Sequence, residues 1–277
     1  MGLTPIEEKA WFELGPNFTA ELAAKKALLT THHAEVFAVW PEAEAPAAEL
    51  LGLMAATLLR DEPALFIRSG DRLANMATGE DWNIARPSLH RLDVAGRLVP
   101  EDLCLLQTIG GRMLLVGASL CSPARWLLAE KIGKPIAAIH EPVPGYAEVL
   151  ARPVDQFLAT LKPDRLMSRF NWGIADDPAP FQPTAPAALV AATTENAGTS
   201  LWLRVERQTF RRLPQTGAVV FTIRTYITRL DDAIGTAAQA QDLAMTIRTM
   251  PEATRSYKRI APHADALLGW LDARSVT

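Results

Sequence analysis

The stretch LWLRVERQTFRR (residues 201–212), LPQTG (213–217) and AVVFTIRTYIT (218–228) decides the fold. Val219, Phe221, Ile223, Thr225 and Ile227 point to one side of a strand, and Val220, Thr222, Arg224 and Tyr226 to the other. Pro214-Gln215-Thr216-Gly217 between the flanks has the composition of a turn. The pattern predicts two long antiparallel strands. A second hairpin is expected upstream, with Leu103 to Ile109 and Arg112 to Cys121 joined at Gly110-Gly111. Between the hairpins, Ser122-Pro123 opens an expected helix over 124–132 that stops at Gly133, and a second helix covers about 152–161. Residues 171–190, rich in Pro and Asp, read as a long loop, a length that is often functional in a compact domain. Apolar spacing predicts helices over 18–30, with Asn17 as cap, and over 45–60, so the first hundred residues read as mostly helical. Residues 231–273 read as helical again. The order helices, hairpin, helices, hairpin, helices predicts an α+β fold built on an antiparallel sheet.

Composition narrows the function. A chain of 277 residues with 49% hydrophobic and 21% charged side chains can bury a core and is no disordered chain. A formal charge of −3 argues against a nucleic-acid partner held by a basic field. Cys104 and Cys121, both in apolar runs, cannot form a disulfide framework or a four-thiolate metal site, and read as small buried hydrophobes. No basic segment followed by an apolar one opens the chain, Ile6 stands where a myristoylation signal has Ser or Thr, and the greasy run from Leu50 to Leu59 falls short of a membrane span. A soluble, cytoplasmic protein with no membrane partner is expected.

No phosphate-binding glycine loop, Gly-x-Ser-x-Gly or His-Glu-x-x-His motif is present. His32 and His33 are adjacent, so on a helix they face different ways and read as surface residues. His140 is different. It ends the apolar run Ile136 to Ile139 and precedes Pro142-Val143-Pro144, which stiffen the chain just after the imidazole. Such a ring suits an axial metal ligand, or else is a core histidine bonded to backbone. The late hairpin carries Arg204, Glu206, Arg207, Gln208, Arg211 and Arg212 on one strand, and Arg224 and Tyr226 on the other. Glu206 and Arg224 can oppose each other on one face, in a register that the turn decides. These groups form either a solvated face with ion pairs or the polar wall of a pocket. Trp172 can add cation–π attraction for a cationic substrate near Asp176-Asp177, unless those acids are merely solvated.

At these residues the chain resembles the haem-dependent oxidative N-demethylase family, whose characterised activity belongs to the α subunit of dimethylamine monooxygenase. The resemblance runs over most of the chain. It includes Leu98-Val99-Pro100-Glu101-Asp102-Leu103, Cys121-Ser122-Pro123-Ala124-Arg125-Trp126 and His140-Glu141-Pro142-Val143-Pro144-Gly145-Tyr146. Arg169-Phe170-Asn171-Trp172, Leu203 to Thr209 and Phe221 to Tyr226 complete it. It implies one domain over 1–277, with a PAS-like haem-binding core at 101–230, a mainly helical part at 1–100 and a helical extension at 231–277. It also implies haem b, and O₂-dependent removal of a methyl group from a small secondary amine to give a primary amine and formaldehyde. Electrons would come from NADPH through a partner reductase subunit carrying FMN and a 2Fe-2S cluster. Two cysteines are too few for that cluster here.

With the resemblance, His140 is the expected proximal haem ligand and Arg207 a further cofactor contact. Arg224 is the expected distal hydrogen-bond donor, with Tyr226 supplying a hydrogen bond or a proton. Glu206 or an aspartate of the 176–177 pair, Asp177 above all, would hold the substrate ammonium beside Trp172. Three rival readings stand beside this one: a haem-based gas sensor on the same fold, a family member acting on another small substrate, and a haem-free protein in which His140 is core.

Overall fold

The computed structural model describes residues 2–184 and 192–276. Seven strands form one antiparallel sheet: β1 (Thr4–Ile6), β2 (Phe37–Val39), β6 (Asp102–Ile109), β7 (Arg112–Ser119), β8 (Leu166–Ala175), β9 (Trp202–Arg212) and β10 (Val219–Arg229). Their spatial order is β1-β8-β9-β10-β6-β7-β2. Of the five consecutive strands β6 to β10, the first and last lie side by side at the centre. The segment between β7 and β8 crosses one face of the sheet. The mixed α+β architecture and large antiparallel sheet are as expected, and the strand order is compatible with a PAS-like core.

Both expected hairpins form. Gly110 (φ 57°) and Gly111 (φ 77°) make the two-residue turn of β6–β7, which needs positive φ at both positions. In β9–β10, Arg224 pairs with Arg207 and Thr225 with Glu206. Glu206 and Arg224 therefore point to opposite faces, one residue away from the register that would have joined them. The loop closes through Leu213 N–H to Ala218 O and Gly217 N–H to Leu213 O, and this sets the offset.

The two faces differ in what covers them. On the first, Leu103, Leu105, Val220 and Leu166 pack with Trp11 and with the Phe18–Thr31, Glu44–Asp61 and Arg91–Leu98 helices in a large core. On the second, Cys104, Leu106, Ala118, Met167, Phe210 and Phe221 meet Leu128, Ile136, Leu158 and Leu161 from the crossing segment. Phe157 stands edge-on to Phe210 (5.4 Å), which stacks on Phe221 (4.8 Å). The Ala237–Thr249 and Ala264–Ser275 helices build a third cluster on Ile174 and Leu203, where Trp270 fills the place a side chain at Gly198 would need. Both thiols are buried, and burial raises their pKa, that of Cys121 to about 12, so they are inert packing groups. No helix among the described residues is long and apolar enough to cross a membrane.

Three local readings need correction. The first hundred residues are not mostly helical, because β1, β2 and a separate sheet of β3 (Phe66–Ser69), β4 (Arg72–Asn75) and β5 (Glu80–Asn83) lie there. Those strands are short, and with Ile67 exposed and Asn75 buried they leave little periodicity to read. Residues 124–132 hold only a turn of 3-10 helix at Leu128–Glu130, because Ala124 bridges to Gln182 and Arg125 takes φ 63°. The expected loop 171–190 begins inside β8, and residues 185–190 of it lie outside the described residues.

An irregular N-terminal arm, residues 7–17, crosses the first face and is held by buried charge. Glu101 is fully buried and its Oε1 accepts the Glu13 N–H (2.8 Å). Lys25 Nζ donates to Val99 O (3.0 Å) and Glu101 O (2.5 Å). Burial raises the Glu101 carboxyl to about 7. The unfolded chain, at an ordinary 4.5, gives up that proton first, so this group removes stability as pH rises from 4.5 to about 7. Glu101→Gln should therefore gain on the wild type by about 2–3 kcal/mol between pH 5 and pH 8 in urea denaturation. A stability difference that stays constant across that range would show that Glu101 does not titrate in this way.

Candidate functional site

His140 closes the one-turn Ile136–Ile139 helix, which Pro135 starts. Its backbone N–H donates to Ile136 O (3.1 Å), and its ring Nδ1 lies 2.9 Å from the same carbonyl. A carbonyl can only accept, so Nδ1 carries the proton. The neutral ring then holds its lone pair on Nε2, which has no partner among the described residues. Burial lowers the His140 pKa; the bond to Ile136 opposes this, and the charges of Lys131 and Arg169 add to it. The ring lies flat on Tyr146 (centroids 4.9 Å apart, planes 9° apart), whose hydroxyl is buried without a hydrogen-bond partner.

The second sheet face changes character along its length. Beyond the aromatic row of Phe210 and Phe221 come Arg169, Gln208 and Ile223, and then Asn171, Glu206 and Thr225. Glu206 is the centre of this polar part. It accepts from Arg204 Nε (3.2 Å), Gln208 Nε2 (3.1 Å) and Asn171 Nδ2 (3.4 Å). Lys258 Nζ donates to Asn171 Oδ1 (3.0 Å) and to Trp172 O (2.5 Å) at the edge of β8. The charge of Arg169 lowers the basicity of both His140 and Lys258.

Of the residues singled out from the sequence, Glu206 and His140 share this face. Arg207, Arg224 and Tyr226 project from the opposite one. Arg224 Nη2 donates to Glu21 Oε2 (2.7 Å) and its Nε to Glu13 O (3.1 Å). Arg207 donates to Trp11 O (3.3 Å) and Ala10 O and pairs with Glu13 (3.1 Å). The Tyr226 hydroxyl donates to the Glu13 carboxylate. These three hold the N-terminal arm, and the structure does not bring them to His140. Strict alternation along β9 and β10 is the reason. Asp177 is exposed and its carboxylate accepts the Ala179 N–H, while Asp176 pairs with Arg125. Trp172 packs against the C-terminal helices, and its ring already faces a cation, Lys258 Nζ at 5.2 Å. The sequence reading missed Arg169, Asn171, Gln208 and Lys258 as one group. Period-two spacing could have joined Arg169 to Asn171 had β8 been recognised; Lys258 had no local signal.

A family model described as haem-dependent oxidative N-demethylase, alpha subunit-like, matches residues 2–268. The chain belongs to this family. The match covers the N-terminal arm, the sheet and most of the C-terminal helices, as the resemblance implied. The residues present suit the haem that this haem-dependent N-demethylase family requires. An imidazole whose Nδ1–H is anchored to a carbonyl and whose Nε2 is unpaired is the form that binds iron. Buried, unpartnered polar atoms at Tyr146 and Arg169 accompany it. Among the described residues no cluster of three or more His, Cys, Asp or Glu side chains could hold a bare metal ion, and haem iron asks the protein for only an axial ligand.

The tautomer can be tested directly. Long-range ¹H–¹⁵N spectra of the haem-free protein should show His140 protonated at Nδ1 alone, and still neutral at pH 6.5, where free histidine is half charged. Since the unfolded chain takes up a proton first as pH falls through 6.5, this residue weakens the fold in acid. A ring protonated at Nε2 in neutral solution would remove it as a ready ligand.

Proposed function

We propose that the chain is the haem-binding catalytic subunit of an O₂-dependent N-demethylase acting on a small secondary amine of the dimethylamine type. The unpaired Nε2 of His140, a residue of the layer that covers the sheet face carrying Glu206, carries this reading. His140 would hold the iron of haem b as its protein ligand, with Tyr146 and the Ile136 carbonyl fixing the ring. Haem supplies the reductive use of O₂ that the family's reaction needs. In balance, the amine, O₂, two electrons and two protons give the primary amine, formaldehyde and water. The methyl carbon leaves as formaldehyde when its bond to nitrogen breaks.

The chain's own part is to bind and orient the amine, which is a cation in neutral solution. Glu206 is the acid on the His140 face, and its carboxylate would accept an ammonium N–H of the amine. Arg204, Gln208 and Asn171 hold Glu206 in place through their hydrogen bonds. Arg207, Arg224, Tyr226, Asp177 and Trp172 have no part in this reading, since each is engaged elsewhere. Electrons would arrive from NADPH through a separate subunit carrying FMN and a 2Fe-2S cluster, in keeping with the family's alpha-subunit description.

The test is an absorption spectrum of the chain supplied with haem, oxidised and reduced, with and without dimethylamine. A strong Soret band that shifts with the amine is expected. His140→Ala should change or abolish the band, and Glu206→Gln should weaken the amine response about tenfold or more while leaving haem bound. A band indifferent to amines moves the reading to a gas sensor or another substrate. Folded protein with no Soret band sinks both and returns His140 to the core.

A further inference from the structure

The arginines of β9 and β10 all have partners. Arg204 is taken by Glu206, Ser122 O and Pro180 O, and Arg212 by carbonyls of Leu158, Leu161 and Gly217. Arg207, Arg211 and Arg224 are paired with Glu13, Glu8 and Glu21, and Arg229 with Asp231. Arg169, on β8, is different. Among the described residues it makes no hydrogen bond or ion pair, its Nε is buried without an acceptor, and it is only half-exposed. The groups near it are Gln208 opposite on β9, the Asn171–Glu206 pair one row along, and Lys258 and His140, whose basicity its charge lowers. The acid among them, Glu206, already accepts from three donors. A guanidinium with five donors, partly desolvated, among cations and with no acid of its own, lacks a counter-ion.

We propose that Arg169 is a carboxylate-binding residue of the His140 site, its fork receiving a carboxylate of the bound guest. This rests on the functional reading above. Two guests bring such a group. Haem carries two propionate side chains, and a methylated amino acid such as N-methylglycine carries a carboxylate beside its ammonium. In the second case Glu206 and Arg169, diagonal neighbours on adjacent strands, would receive the two ends of one zwitterion. A planar fork that takes both carboxylate oxygens at once suits either guest, and a lysine would not reproduce it.

The test compares the wild type, Arg169→Ala and Arg169→Lys. Each is titrated with haem and with haem dimethyl ester, which lacks the propionate charges. N-methylglycine and dimethylamine are then titrated while the Soret band is read. Arg169 has no partner to lose, so the variants should melt like the wild type. If a propionate is the guest, Arg169→Ala weakens haem about 10- to 100-fold, and the ester binds all three proteins equally. If the substrate brings the carboxylate, haem affinity is unchanged, and N-methylglycine loses its effect in Arg169→Ala while dimethylamine keeps its own. Lysine should restore only part of either loss. Variants that bind haem, ester and both amines as the wild type does overturn the proposal. A wild type that takes up no haem sinks the functional reading and the first guest with it. Calorimetry of N-methylglycine on the haem-free proteins then decides the second, and binding that does not depend on Arg169 overturns it.

Discussion

The pairing of Arg224 with Arg207 is the constraint on which the rest of the molecule depends. Side chains alternate along a strand, so one register assigns every residue of β9 and β10 to a face. In this register Val220 joins Leu103 and Leu105 in the large core, and Phe210 and Phe221 join the crossing segment. A slip of β9 by one residue against β10 would turn Arg207 and Arg211 toward the crossing segment and Phe210 toward the arm. Neither layer offers partners for that exchange, so the hydrophobic pattern and the ion pairs enforce the same answer.

The two faces thereby divide the labour. On the first, Arg207, Arg211 and Arg224 capture an N-terminal arm that has almost no regular structure. Irregular backbone leaves carbonyls without partners, and buried carbonyls need donors. The arginines supply them at Ala10, Trp11 and Glu13, and bind the carboxylates of Glu8, Glu13 and Glu21 as well. Arg211 also lies over the Trp11 ring, 4.5 Å from its centroid. This polar lattice is structural, although its composition is that of a binding site. On the second face the acceptors are scarcer. Glu206 is shared by three donors, and Arg169 and Tyr146 each keep a buried polar atom unpaired. Unmet hydrogen-bonding capacity is costly to bury, and it occurs on both faces, since Trp11 Nε1 and Arg211 Nε and Nη1 are also buried without partners beside the arm.

Much of this was legible in the residues. Alternating apolar positions around Gly110-Gly111 and Pro214-Gln215-Thr216-Gly217 gave both central hairpins, because strand periodicity and turn chemistry are local properties. The prolines around His140 marked a rigid imidazole. The small sheet at 66–83 escaped because its strands are four residues long. The part of β8 from Asn171 onward reads as loop because it is an edge strand: β1 pairs only with Ser168 to Leu166, so polar and apolar residues mix along the rest. Arg224 and Glu206 were placed together because both are polar residues of one hairpin, and spacing alone cannot tell a register from its neighbour.

The sequence by itself determined the α+β class, the antiparallel pairing of the hairpins, the buried state of the two thiols, and the family. Each follows from local patterning, from composition, or from motifs kept in order along the chain. Only the tertiary structure decided which arginines serve the scaffold and which one faces His140. It also brought Lys258 to β8 across 86 residues of chain. Those outcomes depend on which layers cover each face of the sheet, and on contacts between segments too distant in sequence for any local pattern to record.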